Sequence, residues 1–233
     1  SRERLFAPLE YMFGENVTVD DVGNTIAHLP MLPSKYDIQR INTIIRQELA
    51  IADPREGGGE LSAATMIAEI VVQMIIQFCS QAENAVSNVG EDGCLASDGS
   101  PTDSLVHDMK VAKIMYYMSD CLQNAPEKVF LEPYRPALTP QLEEVSSIAV
   151  KALLPARKEI DSMVNNCILR PLCRALNRYV AKTMGRMHQE GAYLYQNGVD
   201  QSDGNASSFV QKHISVLFEN ISETILQKLP PPY

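Results

Sequence analysis

From Thr139 to Glu190, apolar residues recur at steps of three and four: Ile160, Met163, Val164, Cys167, Ile168, Leu172, Cys173, Leu176, Tyr179, Val180, Thr183, Met184 and Met187. On a helix of 3.6 residues per turn, this spacing lays one continuous stripe along one side. It predicts a single long helix, and a stripe of that length requires other helices to cover it. Thr139-Pro140 supplies the start, an N-cap followed by proline at the first helical position. Pro155 and Pro171 fall inside the pattern, and each interior proline costs on the order of 3 kcal/mol. Burial of a handful of Leu, Ile and Met side chains, roughly 1.5–3 kcal/mol each, outweighs that. The prolines therefore predict kinks rather than breaks.

The rest of the chain reads the same way. Arg2 to Phe13 forms a short helix ended by Gly14, and residues 14–33 are rich in turn signals. Ser34 is an N-cap with Asp37 three residues later, and Ile38, Ile41, Ile45 and Leu49 supply the apolar face that follows. Asp53-Pro54 and Gly57 to Gly59 stop this helix. Leu61 to Val89 carries two apolar stripes, the mark of a central helix packed on more than one side. Gly90 to Asp103 reads as a mobile polar loop, and Ser104 to Asn124 as a helix. Pro126 opens a short turn reaching Leu131, and Pro133, Pro136 and Pro140 punctuate the connection into the long segment. Residues 191–206 form a polar loop, and Ser207 or Ser208 caps a last helix through Gln227. With no persuasive strand, the expected fold is all-α: a first helical bundle in residues 1–132 and a second in 139–233, sharing the long helix as spine.

Composition narrows the function. A formal charge of −9 disfavours nonspecific attraction to nucleic acid or anionic lipid. No apolar run approaches the roughly 20 residues that span a bilayer, since Met66 to Cys79 is interrupted by Glu69, Gln73 and Gln77. The N-terminus lacks the pattern of a signal peptide. The five cysteines have no paired spacing, and four lie in apolar helical patterns, so reduced core thiols and a cytosolic location are expected.

Signals for chemistry are sparse. His28, His107, His188 and His213 are dispersed, with no metal-ligand spacing, and no nucleophile-elbow, phosphate-loop or dinucleotide pattern occurs. Gly57-Gly58-Gly59 lacks the lysine and preceding strand of a phosphate loop and reads as a helix-to-helix turn. No catalytic, cofactor or metal site is expected. Arg170, Arg174, Arg178, Lys182 and Arg186 follow one another by four, a cationic ridge winding slowly round the helix. Like charges at this spacing repel by a few tenths of a kcal/mol per pair. The ridge therefore calls either for nearby acids or for an acidic partner or phosphoinositide-bearing surface. Pro230-Pro231-Pro232-Tyr233 fits the proline-rich pattern read by WW domains, but it sits where a helix must stop.

The order of segments resembles a known family. S-R-E-R-L-F-A-P-L-E-Y-M-F at the start, I-N-T-I-I-R-Q-E-L-A-I-A over residues 41–52, and M-V-N-N-C-I-L-R-P-L-C-R-A-L followed by M-H-Q-E carry the likeness. Their Leu5, Phe6, Pro8, Pro171-Leu172 and Met187 to Glu190 are similar to the middle region of the fifth-subunit family of the conserved oligomeric Golgi (COG) vesicle-tethering complex. The loop from Gly90 to Asp103 and the connector 133–140 depart from it, so partner contacts do not transfer to named residues. The resemblance implies a non-enzymatic subunit built from elongated helical bundles with a long kinked spine, working in retrograde intra-Golgi transport. Its implied partners are the other tether subunits, Rab GTPases, SNAREs and golgins. It implies no nucleic acid, and a cytoplasmic protein held peripherally on Golgi membranes through the complex. Exocyst or a Golgi-associated retrograde complex is the neighbouring reading. An acidic-partner or lipid-binding helical module, and a small enzyme with a site between bundles, are readings from other classes.

Overall fold

The structure, a computed structural model, describes residues 2–14, 17–19, 25–27, 31–50, 61–87, 90–126, 140–189 and 214–230. Its helices are α1 (Arg2–Phe6), α2 (Lys35–Ala50), α3 (Leu61–Ala85), α4 (Asp103–Pro126), α5 (Pro140–Val164), α6 (Arg170–Gln189) and α7 (Val216–Thr224). Helix α1 runs into a 3₁₀ turn at Ala7–Tyr11, and 3₁₀ turns also occur at Glu91–Gly93 and Leu226–Lys228. Among the described residues the architecture is helical apart from a short ribbon and the isolated bridges Gly14–Met31 and Leu95–Pro101. Val17–Val19 (β1) and Thr25–Ala27 (β2) pair antiparallel, Val17 opposite Ala27, in a ribbon that the sequence reading does not include. Strands of three residues are too short for alternation to register as a pattern.

Local chemistry sets several boundaries. Ser34 and Asp37 form a reciprocal cap: the Ser34 N–H and hydroxyl both donate to Asp37 Oδ2 at 2.7 Å, and the Asp37 N–H donates to Ser34 Oγ at 3.3 Å. Those bonds hold the Asp37 carboxyl below the usual carboxylate range. Thr102 caps α4, its Oγ1 accepting from the Leu105 N–H at 3.3 Å. Pro126 ends α4, and the expected turn to Leu131 lies outside the described residues, as do Gly57 to Gly59 and the polar loop 191–206.

Helices α5 and α6 are continuous through a π turn at Asn165–Leu169. Pro155 sits inside α5, and Pro171 directly follows the π turn. A proline ring clashes with the carbonyl four residues earlier, here that of Cys167, and widening the preceding turn relieves the clash. The π turn also resets the helix phase, because it holds more residues per turn than an α-helix. Ile160, Val164, Ile168 and Leu172, each four apart, are all buried, as is Ala175. Beyond the turn the expected stripe holds in part: Leu172 is buried and Leu176, Tyr179, Val180 and Thr183 are half-buried, whereas Cys173 is exposed and Met184 is 46% exposed.

Among the described residues, two apolar clusters form the interior. The larger joins Leu5 and Leu9 with Ile38, Ile41 and Ile45 of α2, the Ile67 to Ala82 face of α3 and Val86 just beyond it, Val111 to Leu122 of α4, and Ala149 to Ile168. Residues on both sides of the 133–138 connector thus share one core. Phe13 tilts against fully buried Phe78 with ring centroids 5.4 Å apart. The smaller cluster joins Cys94, Leu105, Met109, Leu172, Ala175, Ile225 and Leu229. By length and composition, Thr65–Ala85 of α3 is apolar enough to cross a bilayer, contrary to the sequence reading. The fold accounts for that apolarity, since Val71, Met74, Ile75, Phe78 and Ala82 are fully buried against the other helices. Glu48 is buried beside α1, with Arg4 Nη1 3.0 Å from its Oε1, yet neither carboxylate oxygen accepts a directed hydrogen bond.

Candidate interaction face on the long helix

Burial of Leu172 and Ala175 in the smaller cluster turns the opposite side of α6 outward. Arg170, Arg174, Arg178 and Lys182 are all exposed there. The backbone of Arg186 belongs to the same helix, and its side chain lies outside the described residues. At four-residue steps each cation is displaced slightly round the axis from the last, so the four form a slanting row.

The centre of the row is occupied from within. Gly90, at φ +69°, turns the chain out of α3 into the 3₁₀ turn Glu91–Gly93. Glu91 reaches both central arginines, with Oε1 3.1 Å from Arg174 Nη1 and Oε2 2.6 Å from Arg178 Nη2. Asp92 Oδ1 accepts from the other terminal nitrogen of Arg178. Arg174 and Arg178 remain more than half exposed and Asp92 is 89% exposed, so solvent screens these pairs and each contributes at most about 1 kcal/mol. Among the described residues no acid lies within ion-pair distance of Arg170 or Lys182.

The segment that presents the two acids is folded rather than loose, which differs from the mobile loop expected from its polar composition. The Ala96 N–H donates to the Ser100 carbonyl at 2.9 Å, and the Gly99 N–H to the Ala96 carbonyl at 3.0 Å. Asp98 accepts from both the N–H and the hydroxyl of Ser100, which holds its carboxyl below the usual range. Thr102 Oγ1 donates to the Gly93 carbonyl at 2.6 Å. Tyr179 of α6 donates its hydroxyl to the Asp98 carbonyl at 2.7 Å and packs over Gly99. A Cβ at Gly99 would lie 2.2 Å from that ring, and φ there is +86°. Only glycine fits both constraints.

Beside this face, a recess of about 270 Å³ opens at the π turn, lined by Ser87, Cys94, Ser104, Asp108, Asn166 and Cys167 among others. The buried Asp108 carboxylate accepts from the Ser87 N–H at 2.9 Å and the Ser87 hydroxyl at 2.7 Å. Burial raises its pKa in spite of those bonds. Burial also raises the thiols of Cys94 and Cys167, whose neighbours include Asp108 and Glu83 respectively, and pushes Cys79 up to about 12. A thiol with a raised pKa is a poor nucleophile at neutral pH. Buried His107 turns away from the recess, its Nε2 lying 2.9 Å from the Ala85 carbonyl at the end of α3. The recess therefore holds one buried carboxylate, already engaged, and protonated thiols. No cluster of three potential metal ligands occurs among the described residues.

The structure thus brings four ridge cations onto one exposed face and shows two of them in internal ion pairs. The ridge is visible in the sequence as a spacing. Its acids are not, because Glu91 and Asp92 lie 83 to 87 residues away from the arginines they meet. The available hint is an adjacent acidic pair, set beside a helix-ending glycine, in a chain whose basic residues are concentrated elsewhere. The carboxy-terminal Pro-rich motif is described only as far as Pro230, which is buried with Leu229. Comparison with protein-family models, with curated proteins and with solved structures finds no match to this chain.

Proposed function

We propose that this chain is a non-enzymatic scaffold segment of a Golgi vesicle-tethering complex, serving retrograde intra-Golgi transport as a fifth-subunit-like member of the COG assembly. The observation that carries the reading is the uninterrupted helical run from Pro140 to Gln189. At 1.5 Å per residue it is about 75 Å long. Ala149 to Ile168 supply its contribution to the larger apolar cluster, and Leu172 and Ala175 its contribution to the smaller one, so a single helical run touches both. A tether needs such a strut: stiffness comes from packed helix faces, and binding surfaces are held apart at fixed spacing. In this reading the helices form elongated bundles about a kinked spine, with the prolines at 155 and 171 setting the bends. The protein works in the cytoplasm and reaches Golgi membranes through its fellow subunits, with Rab GTPases, SNAREs and golgins as the wider partner set.

Affinity purification of the full-length protein from eukaryotic cells, with mass spectrometry of what it retains, tests the proposal. Recovery of Golgi tether subunits is the expected result. Recovery of exocyst or Golgi-associated retrograde subunits instead would transfer the chain to that complex. A second reading, an acidic-partner or lipid-binding module, is favoured by the exposed Arg170 and Lys182 and opposed by the internal pairing of Arg174 and Arg178.

A further inference from the structure

We propose that Glu91 and Asp92 are a built-in acidic ligand covering the centre of the α6 cationic face, and that an acidic peptide segment of a partner protein binds this face by displacing them. The inference does not depend on the tether reading.

The occupied state is visible in the geometry. One carboxylate, Glu91, forks across Arg174 and Arg178, and a second, Asp92, takes the remaining edge of Arg178. Two consecutive acids in a helical turn are therefore already seated as a docked acidic peptide would be. The fit is incomplete, because the cations one step further out on each side, Arg170 and Lys182, have no acid within reach among the described residues. Those two lie about 18 Å apart along the helix. An acidic segment that engages both must pass over the position of Asp92, whose 89% exposed carboxylate would repel it. Displacement removes that repulsion and frees all four cations at once.

The construction of the loop suits such a release. Glu91 and Asp92 contribute nothing to either apolar cluster. The chain on their far side is fixed independently, by Tyr179 to the Asp98 carbonyl and by Thr102 to the Gly93 carbonyl. The acidic tip can leave the arginines while the rest of the segment stays in place. Peptide carboxylates are favoured over a lipid headgroup because the seated internal ligand is itself a pair of carboxylates spaced as neighbouring residues.

Anisotropy of a fluorescein-labelled oligoglutamate peptide, titrated with the full chain at low ionic strength, reads the effect. If the internal acids hold the face closed about nine-tenths of the time, Glu91→Gln with Asp92→Asn tightens binding about tenfold. Adding salt weakens it, and Arg174→Glu with Arg178→Glu removes it. Glu143→Gln with Glu144→Gln, exposed acids on α5, changes net charge by the same amount and leaves affinity as in the wild type. Circular dichroism confirms that each protein is folded. Should the double Glu91/Asp92 variant fold poorly, Asp92→Asn alone gives the same comparison with a gain of about twofold to threefold. Equal affinities for wild type and the Glu91/Asp92 variant overturn the proposal, as does an equal gain in the α5 control. Binding of that variant to phosphoinositide-containing vesicles but not to the peptide also overturns it, in favour of a membrane ligand.

Discussion

Among the described residues, Gly90 and Gly99 are the glycines with positive φ, and they separate two costs that are usually confounded. Gly90, at φ +69° and ψ −176°, lies in a region essentially reserved for glycine, and since a Cβ there meets nothing within 4 Å, Gly90→Ala bears only backbone strain, about 1–3 kcal/mol. At Gly99 the Cβ collides with the Tyr179 ring as well, and Gly99→Ala is expected to cost about 2–4 kcal/mol. Chemical denaturation of the two variants checks this, and equal losses would mean that the ring moves aside freely. Asp108 poses a different test. Its folded pKa is raised, so the stability associated with its protonated form is fully present below the unfolded value near 3.9 and is lost as pH rises through the folded pKa. Asn at this position still accepts from the Ser87 N–H and donates to the Ser87 hydroxyl. Asp108→Asn should therefore be at least as stable as wild type at pH 7, with its relative advantage shrinking toward pH 4. Thermal melts across that range decide it, and an advantage that grows on acidification contradicts the assignment.

Among the elements, the long helix shows where sequence patterns suffice and where they stop. The Ser34–Asp37 cap and the buried faces of α2, α3 and α4 are legible, because a 3.6-residue rhythm and a capping pair are local properties of the chain. The π turn is not legible, because a template of steps of three and four has no place for an extra residue. Its consequence falls on the cysteines. The unbroken stripe places Cys173 inside with Cys167, whereas the reset phase leaves Cys173 exposed and Cys167 half-buried, donating to Glu83 Oε1 at 3.6 Å. Alkylation at neutral pH followed by peptide mapping should label Cys173 first, Cys167 and Cys121 more slowly, and buried Cys79 and Cys94 only on unfolding. Labelling of Cys167 before Cys173 would contradict the reset phase. The ribbon of β1 and β2, and the hydrogen-bonded segment before α4, escape the sequence for a related reason. Strands of three residues and turns closed by Asp98, Ser100 and Thr102 are specified by contacts too few or too distant to form a periodic signal.

For the molecule as a whole, two apolar clusters of unequal size imply two levels of stability along one rod. The larger cluster draws on α1 to α5 and contains Phe78, Met74, Ile75 and Met115, none with any exposed surface. Among the described residues the smaller is made of seven buried residues, of which Ile225 and Leu229 come from the segment after α6, and Leu229 is already at the margin of burial. A helix of nine residues is not stable by itself in water, so α7 persists through burial of its own Leu217 and Ile221 and through the contacts of Ile225 and Leu229 just beyond it. Local opening free energy scales with the apolar contacts broken, and α7 should therefore detach well before the larger core unfolds. Leu229→Ala, costing about 2–3 kcal/mol at a site that relaxes easily, acts on that detachment and leaves the larger cluster intact. Phe78→Ala, costing about 3–5 kcal/mol, lowers the global transition instead. Native-state hydrogen exchange distinguishes the two. In the first variant, amides of Val216–Thr224 lose protection while those of Leu61–Ala85 keep it; in the second, protection falls in both. If Leu229→Ala lowers protection of α3 by as much as that of α7, the two clusters unfold as one unit. The α5–α6 rod would then transmit stability along its length, a mechanical coupling that a strut between two binding surfaces would exploit.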